Sequence, residues 1–380
     1  MKIIHSGFDT ISFAVQGALS EQSLAHLAEI KEIAVTEERA VPVCLGYCKV
    51  PMNLNNQGQK GGYAYVLTTG EFGAVFSFKS NVDRKGWNGF VKIRSQNLAR
   101  FGWRKSITEA LEVLRDIGFF TLSISMNRVD YCMDVLNMGI ELNPSDFIAH
   151  ARVTKNTRYQ TEKTSLQIDK QSISRSDRVV SITLGKMPGR QVITYDKRAE
   201  AIAKRKPFWF ALWGINRADI TQTVHRVELR AGKKELEKYR IKSLVDFEKS
   251  IGDVFNKIVR AIRYVIPSDN DTNVSRYPNH PLWDMISEHV NSQLLAHTSR
   301  IDPETILEVI REEKANEYMQ NIIGNAAGFS VCSRIDFGSI SEKVPVLLKE
   351  ALESAISNNP EKFSRTYTRA KDRLRFISPS

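Results

Sequence analysis

Four cysteines in 380 residues, none spaced Cys-x-x-Cys, leave this chain without a disulfide framework or a paired zinc motif, and Cys44, Cys48, Cys132 and Cys332 read as structural thiols. No window reaches the ~18 uncharged apolar residues of a membrane span. The first twenty residues lack the basic start and apolar core of an export signal, so a soluble, cytoplasmic protein without membrane contact is expected. Gly185-Lys186 lacks the glycine-rich lead of a phosphate-binding loop, which argues against nucleotide hydrolysis by this chain. Internal repeats and low-complexity tracts are missing as well. At 42% hydrophobic residues, the chain has enough apolar side chains for ordinary cores, and its length suggests about two or three domains.

Cationic charge is plentiful. The formal net charge of +11 favours a polyanionic partner, nucleic acid first. The basic residues come in groups at 84–105, 197–206 and 362–375, and aromatics such as Trp87, Phe90, Phe101 and Trp103 stand among the first. Arg198, Lys204, Arg205 and Lys206, followed by Trp209, make the second group a DNA-contact candidate, with cations tracking phosphates and the indole stacking on an unpaired base.

Periodicity predicts a strand over 8–15, with Phe8, Thr10, Ser12 and Ala14 on one face and Asp9, Ile11, Phe13 and Val15 on the other. A helix capped by Ser20 follows, with Leu24, Leu27, Ile30 and Ile33 as its stripe. Residues 63–69, 74–79 and 89–95 read as an antiparallel meander, 104–118 as a helix stopped by Gly118, and 120–135 as a long strand. Residues 144–153 are predicted as a short helix capped by Asn143, and 158–176 as a polar loop or hairpin. Residues 179–184 and 191–195 form a hairpin around Gly185–Gly189, and 223–230 a further strand. Beyond about residue 239 only helical patterns are found. The fold class is therefore α+β, a central antiparallel sheet with helices packed on it. Its expected parts are a β-rich N-terminal subdomain at 1–100, a core at 101–240 and an all-helical domain at 241–380 for DNA recognition or dimerisation.

Three strand segments place charge where a sheet ordinarily places carbon. On 127–134, Arg128, Asp130 and Asp134 share a face; on 225–230, Arg226, Glu228 and Arg230 do; and Tyr195 ends the strand 191–195 just before a helix rich in Lys and Arg. Burying such groups requires that they pair with one another or hold an ion. Asp130, Glu228 and Asp134 have the hard oxygens that suit Mg²⁺ or Mn²⁺; the alternative is an internal salt-bridge network of Arg128 and Arg226 with Asp130 and Glu228. Tyr195 is the candidate nucleophile, but a phenol with a pKa near 10 is weak at neutral pH, so Lys197, Arg198 or a metal must favour the phenolate.

The segments Asn-Arg-Val-Asp-Tyr-Cys-Met-Asp at 127–134, Ile-Thr-Tyr-Asp-Lys-Arg-Ala-Glu at 193–200 and His-Arg-Val-Glu-Leu-Arg at 225–230, in this order, resemble the replication initiation factor family of rolling-circle plasmid and phage initiators and related relaxases. The resemblance spans roughly residues 118–238. It implies a nickase-like core that binds an origin, cuts one strand, holds the 5′ phosphate on tyrosine and later rejoins the ends. It further implies Tyr195 as nucleophile, Lys197, Arg128 and Arg226 as phosphate or transition-state contacts, and Asp130, Glu228 and Asp134 as ligands of Mg²⁺ or Mn²⁺. Arg230 joins the DNA-contact candidates, a homodimer is suggested, and any helicase must be supplied by the host. No two of the seven histidines show the His-hydrophobe-His spacing of related nickases, so the site leans on carboxylates. Two other readings are a sequence-specific DNA-binding protein without chemistry and a metal-dependent nuclease that uses water.

Overall fold

The computed structural model describes residues 1–70, 73–139, 141–149, 155–160, 178–268, 270–295 and 303–377. β1 (Lys2–Leu19) is followed by α1 (Glu21–Thr36), whose cap Ser20 accepts a hydrogen bond from the Ser23 amide. Short strands β2 (Val41–Val43), β3 (Met52–Leu54), β4 (Tyr65–Thr68), β5 (Val75–Phe78) and β6 (Gly89–Ile93) meander, and α2 (Ser95–Asp116) leads to β7 (Phe119–Leu136). Next come β8 (Phe147–Ala149), β9 (Lys155–Gln160), β10 (Arg178–Gly185), β11 (Arg190–Asp196), α3 (Lys197–Ala203), α4 (Phe208–Trp213) and β12 (Val224–Gly232). The remaining elements are α5 (Lys233–Lys238), α6 (Leu244–Ala261), β13 (Ile262–Tyr264), α7 (Pro281–Gln293), α8 (Pro303–Cys332), α9 (Ile340–Asn358) and α10 (Pro360–Leu374). The fold is α+β, as expected, with a large antiparallel sheet, packed helices and a helical C-terminal region.

Among the described residues the main sheet has eleven strands in the order β2-β3-β4-β5-β6-β1-β7-β12-β11-β10-β9. Its centre is the pairing of two eighteen-residue strands, β1 and β7. One face is apolar: Ile11, Phe13, Val129, Tyr131, Met133, Val192, Val227 and Leu229 are buried there, and α2, α5 and α6 pack around them. α6 supplies Phe247, Ile251, Val254, Phe255 and Ile258, all buried, with the Phe247 ring 5.5 Å from Phe8 and the Phe255 ring 6.0 Å from Tyr131. Its start is fixed by a capping box, Ser243 accepting from the Asp246 amide while Asp246 accepts from the Ser243 amide. The opposite face carries the charged side chains.

Three expectations differ from the structure, and a fourth is narrowed by it. Residues 144–149 are not an α-helix: Pro144–Asp146 make a single 3₁₀ turn capped by Asn143, and Phe147–Ala149 form β8, paired with β13, while 150–153 lie outside the described residues. β13 is also a strand where only helix was expected; Ile262 and Tyr264 alternate inward and Arg263 stands between them. Of the predicted loop or hairpin, residues 158–160 belong to β9, which pairs antiparallel with β10 and so takes the hairpin form, and 161–176 lie outside the described residues. The strict alternation expected over 8–15 fails at Asp9, because a register shift between Phe8 and Thr10 puts Phe8 in the core with Ile11, Phe13 and Val15.

The division of the chain differs too. The N-terminal strands extend the same sheet as the core strands, and the chain divides into one compact unit of Met1–Lys204 with Trp209–Asp302 and a second of Arg205–Phe208 with Pro303–Ser380. α6 and α7 belong to the first unit, since their apolar faces complete its core. A chain ending at residue 240 would lose the six large side chains that α6 buries (Phe247, Ile251, Val254, Phe255, Ile258, Val259), at about 1.5–3 kcal/mol each and on the order of the whole stability of a domain. Such a truncation should lose its cooperative thermal transition and aggregate. A cooperative transition within a few degrees of the full chain's would refute this account of the core.

Candidate active site

β7, β12 and β11 lie side by side, and their antiparallel register sets Asp134 opposite Arg226, Arg226 opposite Tyr195, and Asp130 opposite Arg230. Directly opposed residues share a face, so the three segments singled out in the sequence meet on the polar side of the sheet. Three ion-paired groups result. Deepest is Arg226, fully buried, whose Nε and Nη2 donate to the two oxygens of Asp134 at 2.6 and 2.8 Å, while Nη1 donates to Asp9 at 2.6 Å. Trp213 Nε1 donates to Asp134 at 2.8 Å, and the Trp209 ring lies 4.2 Å from the guanidinium carbon. Toward the other end Arg128 grips Asp130 through Nε and Nη2 at 2.6–3.0 Å. Between them Arg230 Nε donates to Glu228 Oε1 at 2.7 Å and stands 3.8 Å from Asp130.

Tyr195 is the next-to-last residue of β11, just before α3. Asp196 is both the last residue of β11 and the cap of that helix, accepting from the Ala199 amide at 2.8 Å, so Tyr195 stands one residue before the strand end and Lys197 begins the helix. The Tyr195 hydroxyl donates to Glu228 Oε2 at 3.4 Å. Lys197 is buried; its Nζ donates to Glu200 Oε2 at 2.6 Å and lies 5.7 Å from the Tyr195 ring centroid and 4.7 Å from that of Trp209. Tyr131, the other tyrosine of these motifs, is buried on the apolar face with its ring 5.3 Å from Phe8.

Burial governs the protonation of this face. It pushes the Tyr195 phenol well above its ordinary range, helped by the charge of Glu228 and opposed by Arg226, so Tyr195 is a neutral phenol at pH 7. Burial also raises Asp130 to about 7, against the hydrogen bond from Arg128 and with Glu228 adding to the rise. Asp134 goes the other way: burial would raise it, but the charge and hydrogen bonds of Arg226 hold it below the ordinary carboxylate value.

The carboxylates expected to ligate Mg²⁺ or Mn²⁺ do not fit that role as they stand. Both oxygens of Asp134 face Arg226, with Trp213 adding a donor, both of Asp130 face Arg128, and those of Glu228 face Arg230 and Tyr195. Among the described residues no group of three or more His, Cys, Asp and Glu is arranged to hold a metal ion. A salt-bridge network is what the geometry contains, though Arg226 pairs with Asp134 and Asp9 rather than with Glu228.

The DNA-contact candidates separate. Trp209 is 1% exposed and packed between Arg226 and Lys197, so as it stands it is a wall of the ion-pair pocket and has no face open to a base. Arg198 donates to the carbonyls of Arg217 and Asp219 beside a cavity of 360 Å³ lined by Asp196, Ile202, Ile220 and Thr223. Lys204 is exposed and pairs with Glu200; Arg205 is exposed and pairs with Glu317; Lys206 is half-buried. Arg230 and Arg128 are partly exposed at the open end of the polar face. Asp9, Glu200 and Trp213 complete the site and were not among the predicted residues. Asp9 was hidden by the strand irregularity; Glu200 lay inside the 193–200 motif, three residues after Lys197, a helical spacing that signals the pair.

No protein-family model and no curated protein matches the chain. Among solved structures it is similar to a rolling circle replication initiator protein from Geobacillus stearothermophilus, at 13% identity and a TM-score of 0.41, over 76% of this chain and 97% of that one. At that score the likeness carries no argument about the site.

Arg226→Gln leaves Asp134 buried without its cation and should cost about 3–5 kcal/mol in urea unfolding, against about 1 kcal/mol or less for Arg104→Gln at the exposed pair with Glu248. Equal effects would show that the pair does not organise the site. For Asp130, the folded carboxyl binds its proton more tightly than the unfolded one, so its contribution to stability falls as pH rises from about 4 through about 7. The stability of Asp130→Asn relative to the parent should therefore increase over that range; a flat difference would show an ordinary titration.

Proposed function

We propose that this chain nicks and rejoins single-stranded DNA by transesterification through Tyr195, in the manner of a rolling-circle initiator or relaxase. The observation that carries the reading is the Tyr195 hydroxyl hydrogen-bonded at 3.4 Å to Glu228, on a sheet face where arginines alternate with carboxylates. The order of the three motifs in the sequence supports it independently. A neutral phenol needs a base at the moment of attack, and Glu228, already accepting from it, is placed to take the proton. The phenolic oxygen then bonds to phosphorus, the bond from phosphorus to the 3′ oxygen breaks, and that oxygen leaves with a proton from solvent. A phosphodiester replaces a phosphodiester, so the reverse attack by a 3′ hydroxyl reseals the strand without ATP.

Arg128 and Arg230, partly exposed beside Glu228, are the groups a backbone phosphate would meet first. Lys197 sits behind the tyrosine, where its charge favours developing phenolate. Mg²⁺ or Mn²⁺ would have to displace a guanidinium from Asp130 or Glu228 to bind there, and no step is assigned to it. Saturation of every carboxylate on this face favours one other reading: a DNA-binding protein whose polar face is purely structural.

Single-stranded oligonucleotides tiling the DNA around the gene, labelled at the 3′ end, separate these readings on a denaturing protein gel, with and without chelator. Proposed behaviour is a labelled covalent adduct that Tyr195→Phe abolishes and that Glu228→Gln slows by about 10²–10⁴-fold. Cleavage without adduct points to a water-using nuclease, and binding with neither to the structural reading. Loss of the adduct in chelator, restored by Mn²⁺, would show that a cation enters by opening the ion pairs.

A further inference from the structure

The polar face of the sheet does not end at the ion pairs. Register carries it across the centre of the molecule: Arg128 on β7 stands opposite Ser12 on β1, and Ser12 stands opposite Lys92 on β6. Two residues further along β1, Ala14 stands opposite Phe90. Directly opposed residues share a face, as do residues two apart on one strand, so Lys92 and Phe90 lie on the same side of the sheet as Arg128, Arg230 and Tyr195. Neither belongs to the motifs at 127–134, 193–200 and 225–230.

Lys92 differs from the other cations of this face. Arg128, Arg230 and Arg226 are each matched by a carboxylate. Lys92 is half-buried, and among the described residues its ammonium has neither a hydrogen bond nor an ion pair. Burial and the charges of Arg94 and Arg128 push it below its ordinary value, against the pull of Asp130 and Asp9. A phosphate oxygen arriving there displaces no carboxylate. Beside it, about 6.7 Å along β6, Phe90 is half-buried with the Tyr63 ring 6.0 Å away, and Lys79 Nζ lies 5.6 Å from the Tyr63 centroid. A tight loop holds Tyr63 in place: the Gln59 amide donates to the Tyr63 carbonyl at 2.9 Å, and the Ser77 hydroxyl to Gln59 Oε1 at 3.2 Å. Cation, aromatic pair and cation thus follow one another across the face.

We propose that this is a binding track for single-stranded DNA, in which a backbone phosphate lodges against Lys92, Arg94 and Arg128 and the next base stacks at Phe90 and Tyr63. The rings favour a single strand over a duplex, whose bases stack on one another and offer side chains no face. An acidic peptide would satisfy the cations and leave the rings without a role. The proposal rests on the nicking reading in one respect, that the strand continues to Tyr195. From Tyr195 to Lys92 the path crosses the sheet from β11 to β6 and runs along β7 from Asp134 to Arg128, about 28 Å. At roughly 3.4 Å per nucleotide in a stacked strand, and more in an extended one, at most about eight nucleotides cover that distance.

The test is fluorescence anisotropy of a labelled oligothymidine over a salt series, in the full chain carrying Tyr195→Phe so that no strand is cut. Lys92→Gln should flatten the slope of log affinity against log salt by about 0.7, the loss of one phosphate contact, and Lys92→Arg should keep it. Tyr63→Ala should weaken binding at least about 5-fold at every salt concentration, whereas Tyr63→Phe, which retains the ring, binds like the parent. Lys249→Gln on α6, packed against the other face, leaves the slope unchanged. Thermal melts check that each variant is folded. Should Lys92→Gln unfold, photo-cross-linking of 4-thiothymidine strands to the chain with Lys92 intact decides, with links to Tyr63 or Phe90 expected. An unchanged slope in folded Lys92→Gln, an unchanged affinity in Tyr63→Ala, cross-links confined to other elements, or tighter binding of a duplex or of oligouridine overturns the proposal. Because all of this is read without the Tyr195 hydroxyl, and the covalent adduct is read without Lys92 or Tyr63 being changed, failure here and failure of the nicking reading are distinguishable.

Discussion

The buried pair of Arg226 with Asp134 holds the polar half of the molecule in register. Neither group tolerates burial alone, and the two are fully enclosed, so each requires the other's strand to stay where it is. Asp9 from β1 takes the remaining guanidinium nitrogen, Trp213 from α4 donates to the carboxylate and Trp209 covers the guanidinium face. One arginine thus ties together β1, β7, β12 and α4. Its satisfied geometry costs no unmet hydrogen bond, and it specifies one alignment of strands, which a purely apolar contact would not.

That constraint explains the division of labour between the two faces. Period-2 alternation sends Val129, Tyr131 and Met133 into the apolar core and Asp130, Asp134 and Arg128 to the other side, and β12 follows suit with Val227, Leu229 and Ala231 against Arg226, Glu228 and Arg230. Stability is concentrated on the face under α2 and α6, leaving the charged face uncovered enough for Arg128 and Arg230 to reach solvent. A slip of one residue in β12 would bury Arg226 under α6, so core and site enforce the same register.

Much of this was legible because long strands advertise themselves. The facing of Arg128, Asp130 and Asp134 against Val129, Tyr131 and Met133 follows from alternation alone, and the β10–β11 hairpin from its turn residues. What alternation cannot show is a bulge: Asp9 reads as a core-side residue until the register shift beside Phe8 is known. Nor does composition say which cation meets which anion. Arg226 takes Asp134 because they are directly opposed in register, whereas Glu228, two residues on, meets Arg230 of its own strand. The burial of Trp209 was hidden for a related reason, since an indole after a basic run reads as exposed until Arg226 and Lys197 are found against its ring. Helical grammar near residue 240 marks a change of element and not of core: α6 is helix and yet packs with the first compact unit.

Saturation of the charged face sets the terms for any ligand. A phosphate approaching Arg128 competes with the two oxygens of Asp130, and a phosphate approaching Arg230 competes with Glu228. The two ends of the face hold their cations unequally. Asp130 is drawn toward protonation by burial and by the neighbouring charge of Glu228, and a protonated carboxyl holds a guanidinium far less firmly. Asp134, held as an anion by Arg226, does not yield in this way. An incoming anion would therefore meet least resistance at the Arg128 end, where the side chain is already partly exposed, while the fully buried Arg226 pair frames Tyr195 and Lys197. An exchange of partners at that end would leave the strands in register, because the Arg128–Asp130 pair lies within β7 and the Arg226–Asp134 pair is the one that joins β12 to β7.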